Sequence, residues 1–169
     1  MDATHIPGAS VVTTQTLSSR IEDLVAAVVD PEVPVLTIGD LGVLRGVTVA
    51  ADGAVAVTIT PTYSGCPALG VIEEDIVSVL KAAGYERVAV NTVLSPPWTT
   101  DWMTDDARHR LNDYGIAPPG PAGADAEPVV CPQCSATKTT VVSPFGSTAC
   151  KALMVCEVCR EPFDHFKAI

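Results

Sequence analysis

The chain has 169 residues, 47% hydrophobic and 18% charged, with 10 Lys+Arg against 20 Asp+Glu and a net charge of -10; this suits one ordinary domain, or a domain of roughly 100 residues with a small appendage, and gives enough apolar material for a core. So acidic a surface repels phosphate, which argues against non-specific nucleic-acid binding or anchoring on an anionic membrane, and no apolar run approaches the roughly 20 residues that span a bilayer. The N-terminal MDATHIPGASVVTTQ has neither the basic nor the apolar region of a signal peptide, so the expectation is a cytoplasmic protein whose cysteines are metal ligands or reactive thiols and not disulfides.

Residues 1–16 are polar and unpatterned and are expected to form a flexible N-terminus. A helix follows: Ser19 and Glu22 stand at capping-box spacing, and Ile21, Leu24, Val25 and Val28 make one apolar stripe. Asp30-Pro31 ends it, because the residue before proline is pushed out of the α region. Strands are predicted at about 44–50 and 54–60, with the Asp52-Gly53 turn signal between them. A second helix is predicted over about 67–82, with Leu69, Ile72, Ile76 and Leu80 on one face and Gly84 just past its end. A third strand, about 87–94, carries Val88, Val90 and Val93.

This order predicts an α+β fold, a small two-layer α-β-β-α-β domain. A further helix over about 104–114 starts on Thr104, has Asp105 and Asp106 in its first turn and Arg108, His109 and Arg110 in its C-terminal half, and meets Gly115 at its end. APPGPAGADAEP, residues 117–128, then reads as an extended linker. It separates a first domain, 17–116, from a second, 129–169, where the charge balance changes sign and five of the six cysteines lie.

CPQC at 131–134 and CEVC at 156–159 carry the strongest signal. Two such knuckles can close a tetrahedron of four thiolates, Cys131, Cys134, Cys156 and Cys159, around one soft ion. The spacing fits a β-hairpin zinc ribbon with strands near 139–142, 151–155 and 163–166. Structural zinc is expected, and rubredoxin-like iron uses the same ligands. So short a segment has too small a core to fold without metal. Cys150 is a fifth thiol in this segment and can be a buried spare, a substitute ligand or a labile thiol; His165 is not needed as a ligand.

Cys66 is the one cysteine before the linker, in TPTYSGCPALG between a strand and a helix. Proline is favoured at the first helical position, which puts Cys66 at or beside the N-cap, where the dipole and free N–H groups predict a lowered thiol pKa. The loop DPEVPVLTIGDLGVLR, 30–45, adds Asp30, Glu32 and Asp40. No Ser/His/Asp arrangement, no Gly-rich phosphate loop and no histidine near Cys66 in sequence support an independent hydrolase or nucleotide enzyme.

At these motifs the chain resembles a known family. DPEVPVLTIGDLGVLR and TPTYSGCPA resemble the SufT-like domain of iron–sulfur assembly factors, and together with 98–119, SPFGSTACKA, EPFDHFK and the two knuckles they resemble the PaaD (PaaJ) family of the phenylacetyl-CoA epoxidase system, from about residue 17 to 169. The resemblance implies an accessory protein of aerobic phenylacetate degradation that assists iron or iron–sulfur centre assembly and has no catalysis of its own. It carries the reactive cysteine onto Cys66 and the acidic loop residue onto Asp40, with Thr62 nearby, and the tail ligands onto the four knuckle cysteines. It implies structural zinc, a transient iron or iron–sulfur cluster, and partners among the epoxidase subunits, the iron–sulfur reductase above all, with no nucleic acid or membrane. The other reading is an electron-transfer or structural subunit with iron in the four-thiolate site. An exposed sheet edge leaves a homodimer open.

Overall fold

The structure, a computed structural model, describes residues 14–123 and 128–169. The N-terminal residues expected to be flexible fall outside it up to residue 13, as do 124–127 of the expected linker.

Helix α1 spans Thr14–Ala26. Ile21 and Val25 on its inner face are fully buried, with Val28 just beyond its end, whereas Leu24 is exposed. The helix begins ahead of the expected capping box, so Ser19 lies within it and is not its cap. Packing of the apolar stripe sets the extent of such a helix more than local signals do.

Strands β1 (Leu44–Val49) and β2 (Val55–Ile59) pair antiparallel around the predicted turn. Helix α2 (Leu69–Ala82) carries the chain over to β3 (Val88–Thr92), which pairs parallel with β2, giving the order β1-β2-β3. β2 is therefore central, and its alternation puts Val55, Val57 and Ile59 into the core beneath Ile72, Ile76 and Leu80 of α2. Gly84, at φ 94°, closes α2 in the left-handed conformation and donates to the Lys81 carbonyl.

Helix α3 spans Asp105–Tyr114; the Thr104 hydroxyl accepts from the Ala107 N–H (3.0 Å) and Gly115 ends it at φ 93°. Its arginines do more than suit the dipole. Arg108 donates to the carbonyls of Thr100 and Pro119, and Arg110 to that of Val35.

The second sheet has the order β4-β7-β6-β5, from β4 (Ile116–Ala117), β5 (Thr139–Ser143), β6 (Lys151–Cys156) and β7 (Pro162–Phe166). The last three are the ribbon strands that the sequence predicts. β4 was not foreseen. It pairs parallel with β7 and ties the end of the first unit to the ribbon sheet. Phe166 and Cys150 of the ribbon belong to the main apolar cluster, with the Phe166 ring 6.1 Å from that of Trp98. The Trp98 indole donates to the Leu41 carbonyl (2.8 Å), and the Thr100 N–H to the Ile169 carbonyl (3.1 Å). A smaller cluster, Ala117, Cys131, Met154, Cys156 and Phe163, underlies the knuckles.

Candidate functional site

The two knuckles are built alike. In the first, Cys131 N–H donates to the Ala136 carbonyl and Ser135 N–H to the Cys131 carbonyl; in the second, Cys156 N–H donates to Glu161 and Arg160 N–H to Cys156. Ser135 and Arg160, each following the second cysteine of its knuckle, turn the chain at φ 60° and 68°. These repeated turns aim four sulfurs at one point. Cys131 and Cys159 sulfurs are 3.7 Å apart, Cys134 and Cys156 sulfurs 3.6 Å, and all four lie within 4.8 Å of one another. A tetrahedral ion with bonds of about 2.3 Å to sulfur needs sulfur–sulfur edges of about 3.8 Å, so the cage fits a four-thiolate metal. The N–H of Cys159 on its sulfur lowers the pKa of the Cys156 thiol, toward the thiolate that a metal requires, while contact with the other three sulfurs raises that of Cys159. Cys150 is outside this cage, which the two knuckles complete without it.

Cys66 lies in the turn after β2. Its N–H donates to the Tyr63 carbonyl (3.0 Å), and its carbonyl accepts from Leu69 (3.3 Å), the first residue of α2. The helix therefore starts later than the proline suggests, and Cys66 precedes the N-cap residue Ala68. The thiol is half-buried. Burial pushes its pKa up; the Ala68 N–H opposes this, while Glu32, Asp30 and Cys150 add to it. This reverses the expected lowering. Burial of the thiol, with smaller contributions from carboxylates of a distant loop, outweighs the helix end, which reaches Cys66 through one N–H.

The acidic loop is a packed element and no solvated connection. Val33, Leu36, Ile38, Leu41 and Val43 are all buried. Val29 bridges Thr37, and the Asp30 carboxylate accepts from the N–H groups of Glu32 (2.8 Å) and Val33 (2.9 Å). Gly42, at φ 67°, passes so near Trp102 that a Cβ there would lie 2.5 Å from its carbonyl oxygen. Asp40 accepts from the N–H and hydroxyl of Thr37 (2.8 Å each) and pairs with Arg110 at 2.5 Å. Burial alone would raise its pKa, but the Thr37 bonds and Arg110 bring it below the usual carboxylate range. Asp40 thus fastens the loop to α3, and the carboxylates whose charge Cys66 feels are Glu32 and Asp30. Thr62 shares the Cys66 turn and lines a hollow of about 220 Å³ with Tyr63, Leu94, Trp98 and Ile169.

Glu32 and Cys150 are residues whose influence on the Cys66 thiol the sequence did not reveal. The one available sign was that Cys150 is the ribbon thiol left over once both knuckles are filled.

Among the described residues no helix is long and apolar enough to cross a membrane. Residues 18–92 match the family described as iron–sulfur cluster assembly protein, and residues 117–167 the PaaD zinc beta ribbon domain. A relative from Escherichia coli K12, provisionally described as the D component of 1,2-phenylacetyl-CoA epoxidase, is 51% identical over 149 residues, which cover 86% of this chain and 90% of that protein. An Fe–S protein maturation auxiliary factor of Porphyromonas gingivalis is 40% identical over 94 residues, 53% of this chain and 89% of its own length. The crystal structure of a domain of unknown function, DUF59, from Bacillus anthracis aligns with a TM-score of 0.54 at 30% identity, covering 58% of this chain and 93% of that one.

Proposed function

The chain belongs to the PaaD family, the D components of phenylacetyl-CoA epoxidase, and from that premise we propose that it is an accessory protein that assists assembly of iron or iron–sulfur centres in the epoxidase system, with Cys66 receiving the cargo. The observation that carries this reading is the union, in one chain, of an iron–sulfur assembly region with a single half-buried thiol at a strand-to-helix turn and a separate four-sulfur cage. The thiol is a soft donor for iron. Asp40 holds the loop beside it in shape and Thr62 belongs to the same turn; both support the site from outside direct contact with the cargo.

Zinc in the four-cysteine cage is structural in this reading, since four protein thiolates leave no open position for chemistry. The partners are the other epoxidase subunits, the iron–sulfur reductase first among them because it needs a cluster. The acidic charge of -10 suits protein clients and disfavours nucleic acid and anionic membrane. Location in the cytoplasm and an edge-paired homodimer remain parts of the proposal.

Iron in the cage is the competing assignment and would make the chain an electron-transfer subunit. Metal analysis of protein purified without added metal separates the two. We expect one zinc per chain and a colourless protein. One iron per chain with a thiolate-to-iron absorption band overturns the structural-zinc assignment and favours electron transfer.

A further inference from the structure

Among the described residues the two sheets have four outer strands, and three of them are blunted. β1 carries Arg45 and a register shift between Leu44 and Gly46, β5 has a shift between Val141 and Ser143, and β4 is two residues long. Irregularity, charge and shortness are the usual guards against stray strand pairing. β3 has none of them: it runs in unbroken register with β2 and holds no charge and no proline. On the side of β2, the Val55 N–H donates to the Arg87 carbonyl (2.8 Å) and the Val93 N–H to the Ile59 carbonyl (2.9 Å). Alternation along the strand then turns the N–H and C=O groups of Val88, Val90 and Thr92 outward, to the free edge.

Beside this edge lies a hollow of about 550 Å³, lined by Gly70, Glu73, Glu74, Val77 and Ser78 of α2 and by Val90 of β3. The five helix positions form one stripe at helical spacing. Val77 and Val90 are half-buried and Glu74 is exposed, and one oxygen of Glu73 accepts from the Thr92 hydroxyl (2.7 Å). A Cβ at Gly70 would meet nothing within 4 Å, so nothing in the chain itself calls for this poor helix former, and its missing side chain keeps one end of the hollow open. The surroundings are acidic, since all of the chain's 20 Asp+Glu except Glu157, Glu161 and Asp164 lie before the ribbon. We propose that the α2–β3 groove binds an extended cationic segment of a partner protein. The segment adds to β3 as a further strand, sets lysine or arginine side chains against Glu73 and Glu74, and lays an apolar one on Val77 and Val90. A second copy of this chain does not suit the groove: pairing β3 with β3 would lay two α2 helices, each with Glu73 and Glu74, side by side, so a homodimer belongs at another edge. The surface goes beyond the assembly reading and stands independently of the role given to Cys66.

The test titrates the zinc-loaded full chain with a labelled hexapeptide of alternating lysine and valine, read by fluorescence anisotropy at low salt and by amide exchange. We expect saturable binding that slows exchange at Val88, Val90 and Thr92. Glu73→Gln and Glu74→Gln should each weaken it by about threefold, the scale of an exposed ion pair. Gly70→Ala should weaken it by filling the groove, while that variant melts no lower than the wild type. Methylating the peptide's backbone nitrogens removes its strand hydrogen bonds and keeps every charge, so it should abolish binding, as should glutamate in place of lysine. Equal binding by the methylated peptide, or a loss from Glu22→Gln on α1 as large as that from Glu74→Gln, would mean general attraction to an acidic surface and overturns the groove. Binding that leaves the three amides unprotected, wild-type affinity in all three groove variants, or no binding by the lysine–valine peptide overturns it too. Dimerisation of the chain alone that protects the same amides gives the edge to a second copy and overturns the cationic segment.

Discussion

Cys66 shows how one residue's chemistry depends on groups far from it in sequence. Its place between a strand and a helix could be read from the proline after it and the apolar periodicity beyond. Its electrostatics could not, because burial and the charges of Glu32, Asp30 and Cys150 act from other loops and raise its pKa. The thiol should therefore alkylate with a midpoint above the ordinary value of about 8.5. The Glu32 charge is one of the influences that raise it, so Glu32→Gln should move the midpoint down. Mass spectrometry of the Cys66 peptide across pH checks both, and a wild-type midpoint below about 8.5 would restore the helix end as the dominant influence. For a cargo ligand, a thiol kept protonated until metal arrives is protected from oxidation and other soft electrophiles.

At the scale of elements, the regular pieces were legible and the irregular ones were not. β2, α2 and α3 follow from alternation, helical periodicity and the Thr104, Gly84 and Gly115 end signals. The loop over 30–43 showed its carboxylates, prolines and glycines, but its packing depends on which residues fold inward, and no period records that. Asp40 is the clearest case. It read as a ligand candidate and is bonded to Thr37 and Arg110. Asp40→Asn should cost about 2 kcal/mol of stability at neutral pH, the scale of hydrogen bonds to a charged group. The sign of its pH dependence follows from a folded pKa below the unfolded one. Asp40 contributes fully above the unfolded value of about 3.9 and loses that contribution as pH falls through the lower folded value. Denaturant melts of both proteins should thus differ most at neutral pH and converge in strong acid; a gap constant with pH would remove Arg110 and Thr37 as the cause. The knuckles were the most legible elements of all, since C-x-x-C spacing states both the ligands and the turn. The left-handed turns at Ser135 and Arg160 that complete them carry no glycine to mark them.

For the whole molecule, composition marked the proline-rich stretch over 117–128, while the contacts across it lay beyond the reach of sequence. The two-residue strand β4 is too short to have a period, and the pairing of Trp98 with Phe166 joins aromatic residues that nothing in the intervening sequence connects. The ribbon should therefore act on the first unit. Structural zinc contributes on the order of 10 kcal/mol in small sites, so chelation should strip amide protection from β5, β6 and β7. Because Phe166 and Cys150 belong to the main core, it should also shift the emission of Trp98, now 3% exposed, to the red. Emission unchanged after zinc loss would mean that the first unit holds its core without the ribbon.

The central claim is that the chain delivers iron to the epoxidase system through Cys66. The most direct test measures iron per epoxidase complex produced in cells together with this chain or with its Cys66→Ala variant. Removing one half-buried thiol should cost roughly 1 kcal/mol, so the variant should stay soluble and zinc-loaded. The account predicts full iron content with the wild-type chain and a content with Cys66→Ala as low as with no chain at all. Full iron content with Cys66→Ala would contradict it.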